Sequence, residues 1–236
     1  MSKNETLKNY LPNFLIGFLG VFTYFLLNNI EILPFKFFNI DVNNLSSTIK
    51  IIYLFGYEIL IMFLIGLIFN KKLKRDFADI KVNHKKYYSE YFKFWLIGLA
   101  VMFISNCIIM FLFDGGIANN EESIRSMFKI NPLYIFFSSI IYAPFVEELI
   151  FRQGIKNMIP NKILFILLSG FIFGGIHIFS SMKTLTDLLY IIPYSSLGLA
   201  FAYMLYKTDN IFVSMGFHFL HNAILINLQF LVLLFG

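Results

Sequence analysis

The sequence is poor in the residues that build soluble or cross-linked proteins. Only 14% of its 236 residues are charged, against roughly 25% in an ordinary soluble domain. A single cysteine, Cys107, lies inside an apolar stretch, so no internal disulfide forms and the redox compartment is not readable. Its place is that of a small packing residue. The HExxH signature of zinc peptidases is absent, and with one cysteine a thiolate-rich zinc site is excluded. No internal repeat, low-complexity linker or soluble domain interrupts the chain.

What is present is hydrocarbon. Apolar residues make up 58% of the sequence, with 31 Phe, which implies an integral membrane protein. A helix crosses about 30 Å of hydrocarbon at about 1.5 Å per residue, so a span needs roughly 17 to 25 apolar residues. Seven such runs are expected, at 11–30, 49–69, 94–113, 132–151, 163–180, 188–206 and 211–235. The first lacks a small-residue cleavage site and is read as a retained helix. The fold expected is all-α, a polytopic membrane bundle of about seven transmembrane helices. Its first region, 1–131, holds three spans, and the second, 132–236, holds four.

Charge orients the bundle. The hydrophilic loop 71–93 carries eight Lys or Arg against three acids, which places it in the cytoplasm together with the N-terminus. In that topology the inner segments hold fourteen basic residues and the outer ones five. The formal charge of +5 then follows from topology and attraction to the lipid bilayer, and no nucleic-acid partner is needed. The basic loop itself is read as a solvated segment rather than a specific lipid site. Abundant Asn, Lys, Ile and Phe suggest an AT-rich coding sequence and a bacterial cell membrane.

Ionisable groups concentrate in the last four spans. Glu147 and Glu148 stand in the apolar run that begins at Pro132, where an unpaired carboxylate costs roughly 2.5 kcal/mol or more on insertion scales. Such acids face a partner or a wet cavity, which makes them candidates for function. Glu148 precedes Arg152 by four, the favourable direction for a helical ion pair, and is read as structural support. Glu147 points about 100° away and is free to act on water. Counting from the turn at Pro160 places Glu147 and His177 in nearly one layer of an antiparallel hairpin. Gly170 and Gly174 form a small-xxx-small seam on the face of His177. His218 and Asn222 share a face of the last helix and can donate to an oxyanion, whereas His221 points elsewhere. Pro144 is expected to kink the fourth span. Glu58, in the second span, is either an extension of the polar cavity or a locally hydrogen-bonded acid. Glu147, His177 and His218 could also supply three zinc ligands, but Asn is a poor one and a metal-free glutamate and water mechanism is favoured, with no cofactor.

Three motifs thus stand in order: Glu147-Glu148-Leu149-Ile150-Phe151-Arg152, Phe173-Gly174-Gly175-Ile176-His177 and His218-Phe219-Leu220-His221-Asn222. Together they resemble the CPBP family, the CAAX-type and bacteriocin-processing Abi membrane proteases, over about residues 132–235. The resemblance implies an intramembrane endopeptidase acting on a membrane-associated peptide or protein. It makes Glu147 the base, His177 its partner, His218 and Asn222 the oxyanion hole, and Glu148 with Arg152 the supporting pair. The family is also described as metallopeptidase, a label the metal-free reading opposes. A non-catalytic membrane scaffold and a proton-coupled transporter are the competing readings. Substrate, pathway and oligomeric state are not written in the sequence.

Overall fold

A computed structural model describes residues 3–113, 118–179 and 181–235, all in helices and short connections with no strand among them. We label the helices α1 (Lys3–Ile30), α2 (Leu33–Phe37), α3 (Ser47–Ile68), α4 (Asn70–Phe113), α5 (Asn119–Ile130), α6 (Pro132–Met158), α7 (Lys162–Phe179), α8 (Ile191–Thr208) and α9 (Ile211–Phe235). Seven helices are long and apolar enough to span a membrane, in agreement with the seven runs of the sequence. The expected end of the fifth span, Ser180, lies outside the described residues. Within the chain, 39 to 50% of the last four spans is buried, against 11 to 17% of the first three. The last four therefore form the core, and the first three turn most of their surface outward to lipid.

One expectation is overturned. Residues 71–93 are not a loop: α4 continues through them as one helix of 44 residues. Neither Gly nor Pro occurs between Asn70 and Gly98, so nothing stops the helix. Its charges also hide an inward stripe. Asp76, Ile80, Tyr91 and Trp95 are buried, the last three against Phe201, Val213 and Phe217.

Two of its eight cations, Lys72 and Arg75, are paired, while the others are exposed as a solvated segment would have them. Asp209, held by a left-handed φ of 46° at the end of α8, is gripped by Arg75 Nη2 at 2.9 Å and Lys156 Nζ at 2.6 Å. Lys72 binds Asp76 at 2.7 Å, while Asp76 Oδ2 accepts the Ile211 N–H at 2.8 Å and so caps the start of α9. Partial burial opposes charge on Asp209, but Lys156, Lys72 and Arg75 hold its carboxyl below the ordinary value of 3.8. A depressed acid stabilises the fold above its unfolded pKa and loses that effect as pH falls through the folded value. Asp209→Asn is expected to lower the stability by about 1 kcal/mol or less, because the side chain is 57% exposed. Melting curves should show the difference in full at neutral pH and closing below pH 3.8. A difference that persists unchanged at pH 2 contradicts the ionic origin.

α7 and α8 meet along the glycine seam. A Cβ on Gly170 would overlap Leu199, and one on Gly174 would lie 2.9 Å from the Ile191 carbonyl oxygen. Only glycine permits this approach, which sets the faces bearing Phe173 and His177 against α8. Glu58 is hydrogen-bonded across the bundle rather than locally, accepting from Tyr134 Oη at 3.0 Å and Ser138 Oγ at 2.6 Å.

Candidate active site

α6 carries the acids and is not a regular helix. It widens into π turns at Ser138–Tyr142 and Glu148–Gly154, the second wholly buried. In the first, the Ala143 N–H bonds the Ser138 carbonyl, five residues back. The next donor in that register would serve the Ser139 carbonyl, but it belongs to Pro144 and carries no hydrogen. Asn222 Nδ2 fills the vacancy, donating to Ser139 O at 2.7 Å. Proline on one helix thus fixes a carboxamide on another.

The second π turn holds Glu148 and Arg152, both 0% exposed. Arg152 Nη2 lies 3.4 Å from Glu148 Oε1, Nη1 donates to Ser169 O at 3.4 Å, and the guanidinium covers the Phe173 ring at 4.3 Å. Among the described residues Arg152 Nε and Glu148 Oε2 have no hydrogen-bond partner, so charge and the aromatic face hold this pair more than hydrogen-bond geometry does.

His218 stands between the two acids. Its Nδ1 is 3.1 Å from Glu148 Oε1 and its Nε2 is 3.8 Å from Glu147 Oε2. Since a carboxylate only accepts, Nδ1 carries the hydrogen and Nε2 is the nitrogen presented to Glu147. Phe201 stacks on the ring at 5.3 Å and Phe173 meets it edge-on at 5.9 Å, fixing its plane. Two carboxylates and one guanidinium leave one excess negative charge in an apolar surrounding. A single proton, on His218 Nε2 or on Glu147, restores neutrality.

His177 sits one ring further out. Its Nδ1 donates to the Phe173 carbonyl at 2.9 Å, which leaves Nε2 as an open acceptor. The imidazole lies between Phe173 at 4.4 Å and Tyr194 at 5.0 Å, nearly parallel to the latter. No carboxylate comes within ion-pair reach of it among the described residues. The structure therefore brings Glu147, Glu148, Arg152 and His218 together and connects His177 to them through Phe173. Asn222 reaches α6 by its backbone. His221 is buried yet makes no hydrogen bond among the described residues. Glu147, His177 and His218 do not gather as metal ligands, and among the described residues no group of three such side chains does.

Sequence reasoning missed Tyr194 and Phe201, whose rings orient the two histidines. They lie seven apart on α8, a spacing that marks one helical face, but nothing local distinguishes this stripe from ordinary core. The Asn222 contact was also missed, although Pro144 was the sign that a carbonyl near it needed a donor from elsewhere.

Residues 129–224 match the family described as type II CAAX prenyl endopeptidase Rce1-like, a segment that contains all three motifs. YdiL of Bacillus subtilis, whose name proposes a membrane peptidase, is 29% identical over 150 residues, covering 56% of this chain and 58% of that protein. YvdC of Lactococcus lactis is 26% identical over 132 residues, covering 54% and 49%. An uncharacterised protein of Mycoplasma capricolum is 30% identical over 122 residues, covering 47% and 35%. The chain thus spans about half the length of the curated relatives it matches. No solved structure matches it. The acid, histidine and asparagine motifs of this multi-pass membrane protein all fall inside the segment that is similar to the Rce1-like family, residues 129–224.

Proposed function

We propose that the protein is an intramembrane endopeptidase that hydrolyses a peptide bond of a membrane-associated substrate with water activated by Glu147. The observation that carries this reading is the Glu148–His218–Glu147 array, with His218 held at 3.1 Å from one carboxylate and facing the other at 3.8 Å inside an apolar bundle. A scaffold has no use for a buried charge arrangement that one shared proton balances.

In the reactive form Glu147 is the carboxylate and His218 the imidazolium. Glu147 takes a proton from water as the oxygen attacks the peptide carbonyl carbon, and the carbonyl oxygen becomes an oxyanion. His218 donates to it from Nε2, and Asn222 from the second hydrogen of Nδ2, the first being used on Ser139. Glu147 then passes its proton to the leaving nitrogen as the C–N bond breaks, which frees an amine and a carboxylic acid. His177 Nε2, an open acceptor, positions the water. Arg152 keeps Glu148 ionised as the anchor of His218.

Membrane proteomics comparing wild type with Glu147→Ala identifies the substrate as the precursor that accumulates uncut in the variant. Identical proteomes, together with no cleavage by the purified protein, defeat the reading.

Asn222 has two tasks on this account, and they separate. Asn222→Ala should destabilise the chain by about 1 kcal/mol, because it leaves the half-buried Ser139 carbonyl without its donor. It should also slow hydrolysis by about 10² to 10³ through loss of an oxyanion donor. Adding Pro144→Ala returns a backbone donor to the π turn and should recover the melting temperature but not the rate. Recovery of both assigns Asn222 to helix support alone.

A further inference from the structure

At the basic end of the bundle a cavity of about 690 Å³ opens between the start of α1, the junction of α3 and α4, and the end of α6. Among the described residues Lys71, Lys72, Arg75 and Lys156 line it, opposed by one carboxylate, Asp209. Asp76, buried behind Lys72, offsets a second cation at 2.7 Å. Two positive charges are left over.

Two of these cations are shielded, while Arg75 and Lys71 reach the open side of the cavity. The Lys72 and Lys156 side chains are only 13% and 21% exposed, and Arg75 is fixed by Asp76 and Asp209 through Nε and Nη2 while its Nη1 hydrogens make no hydrogen bond among the described residues. Lys71 makes no ion pair among the described residues. The cavity therefore presents oriented N–H donors with a net positive field, the arrangement that suits a tetrahedral anion. Leu67, Ile68 and Phe69 add an apolar part to its lining. Ile68 ends one membrane span and Met158 another, so the cavity lies where spans meet the headgroup layer.

We infer that this cavity is a binding site for a phosphate-bearing anion, namely an anionic phospholipid headgroup or free phosphate. The apolar part of the lining and the position at the ends of the spans fit a lipid, since basic pockets between membrane helices capture anionic headgroups. The volume is in the range of small-ligand sites, about 300 to 1,000 Å³. Nothing in this inference depends on proteolysis.

The test uses the full chain in a neutral maltoside micelle, titrated with phosphatidylglycerol, phosphatidylcholine or inorganic phosphate. Lipid retention is read by native mass spectrometry, and thermal shift is read in parallel. Phosphatidylglycerol should be retained at least tenfold more tightly than phosphatidylcholine. Lys71→Glu should remove that preference without changing the lipid-free melting temperature, because Lys71 holds no partner in the fold. Lys74→Glu, one turn along and outside the cavity, should leave the preference intact. Glu147→Gln should bind lipid as wild type does, so a failed protease assignment does not touch this result. If millimolar phosphate stabilises the protein and displaces phosphatidylglycerol, the site recognises phosphate and the free anion is its occupant. If it does neither while phosphatidylglycerol binds, the occupant is the lipid. Equal retention of the two lipids, or equal weakening by Lys71→Glu and Lys74→Glu, overturns the inference. A substrate peptide's carboxylate that competes while both phosphate forms fail does so too.

Discussion

Glu147→Gln is expected to abolish hydrolysis while leaving the protein folded and inserted. Gln keeps the volume and removes the base, a group worth about 10² to 10⁴ in rate. Charge balance argues that the fold survives. With Glu147 neutral, the buried Glu148 and Arg152 cancel and His218 needs no second proton, so the variant should melt at or above the wild-type temperature. Turnover of a quenched fluorogenic peptide in detergent, with melting recorded on the same preparation, decides the matter. Wild-type turnover by a folded Gln variant would remove Glu147 from the chemistry and with it the proposed mechanism.

Arg152→Ala should act on the opposite axis, on stability first. It leaves Glu148, fully buried, without its cation and strips the cover from the Phe173 ring at 4.3 Å. Truncating one partner of a buried pair costs about 3 to 5 kcal/mol, enough to lower yield sharply. The double variant Glu148→Gln with Arg152→Met removes both charges and restores apolar volume, so it should recover most of the loss in melting temperature. It should not recover activity, because the carboxylate that anchors His218 is gone. Normal expression and melting of Arg152→Ala alone would show that the pair contributes nothing to the fold.

The spans were legible because hydrocarbon thickness sets a length that composition cannot disguise. The gathering of Glu148 with Arg152 follows from a spacing of four, which a π turn preserves. The helical character of residues 71–93 was obscured by charge: eight cations read as a loop, while the buried Asp76, Ile80 and Tyr91 that bind the stretch to the bundle are scattered among them. Layer counting brought Glu147 level with His177 but gave no rotation about the helix axis, and His218 is the imidazole within ion-pair distance. Rotation is a tertiary property here, set by two π turns that no local pattern announces. Asn222 shows the same limit. Its neighbour in space is a backbone carbonyl, and backbone carbonyls have no letter in a sequence.

The length of α4 has a mechanical consequence. Its 44 residues make a rod of about 66 Å, with no glycine or proline between Asn70 and Gly98 to bend it. Gly98 rests against α8, where its carbonyl accepts Ser196 Oγ at 3.0 Å. Asp76 lies 22 residues away, about 33 Å along the axis. Taking Gly98 as the fulcrum, a swing of only about 2° moves the charged tip by about 1 Å. The rod is therefore braced along its length, at the tip by Asp209, midway by Ile80, Tyr91 and Trp95, and at Gly98 by the same α8 that carries Tyr194 and Phe201, on which the two histidines rest.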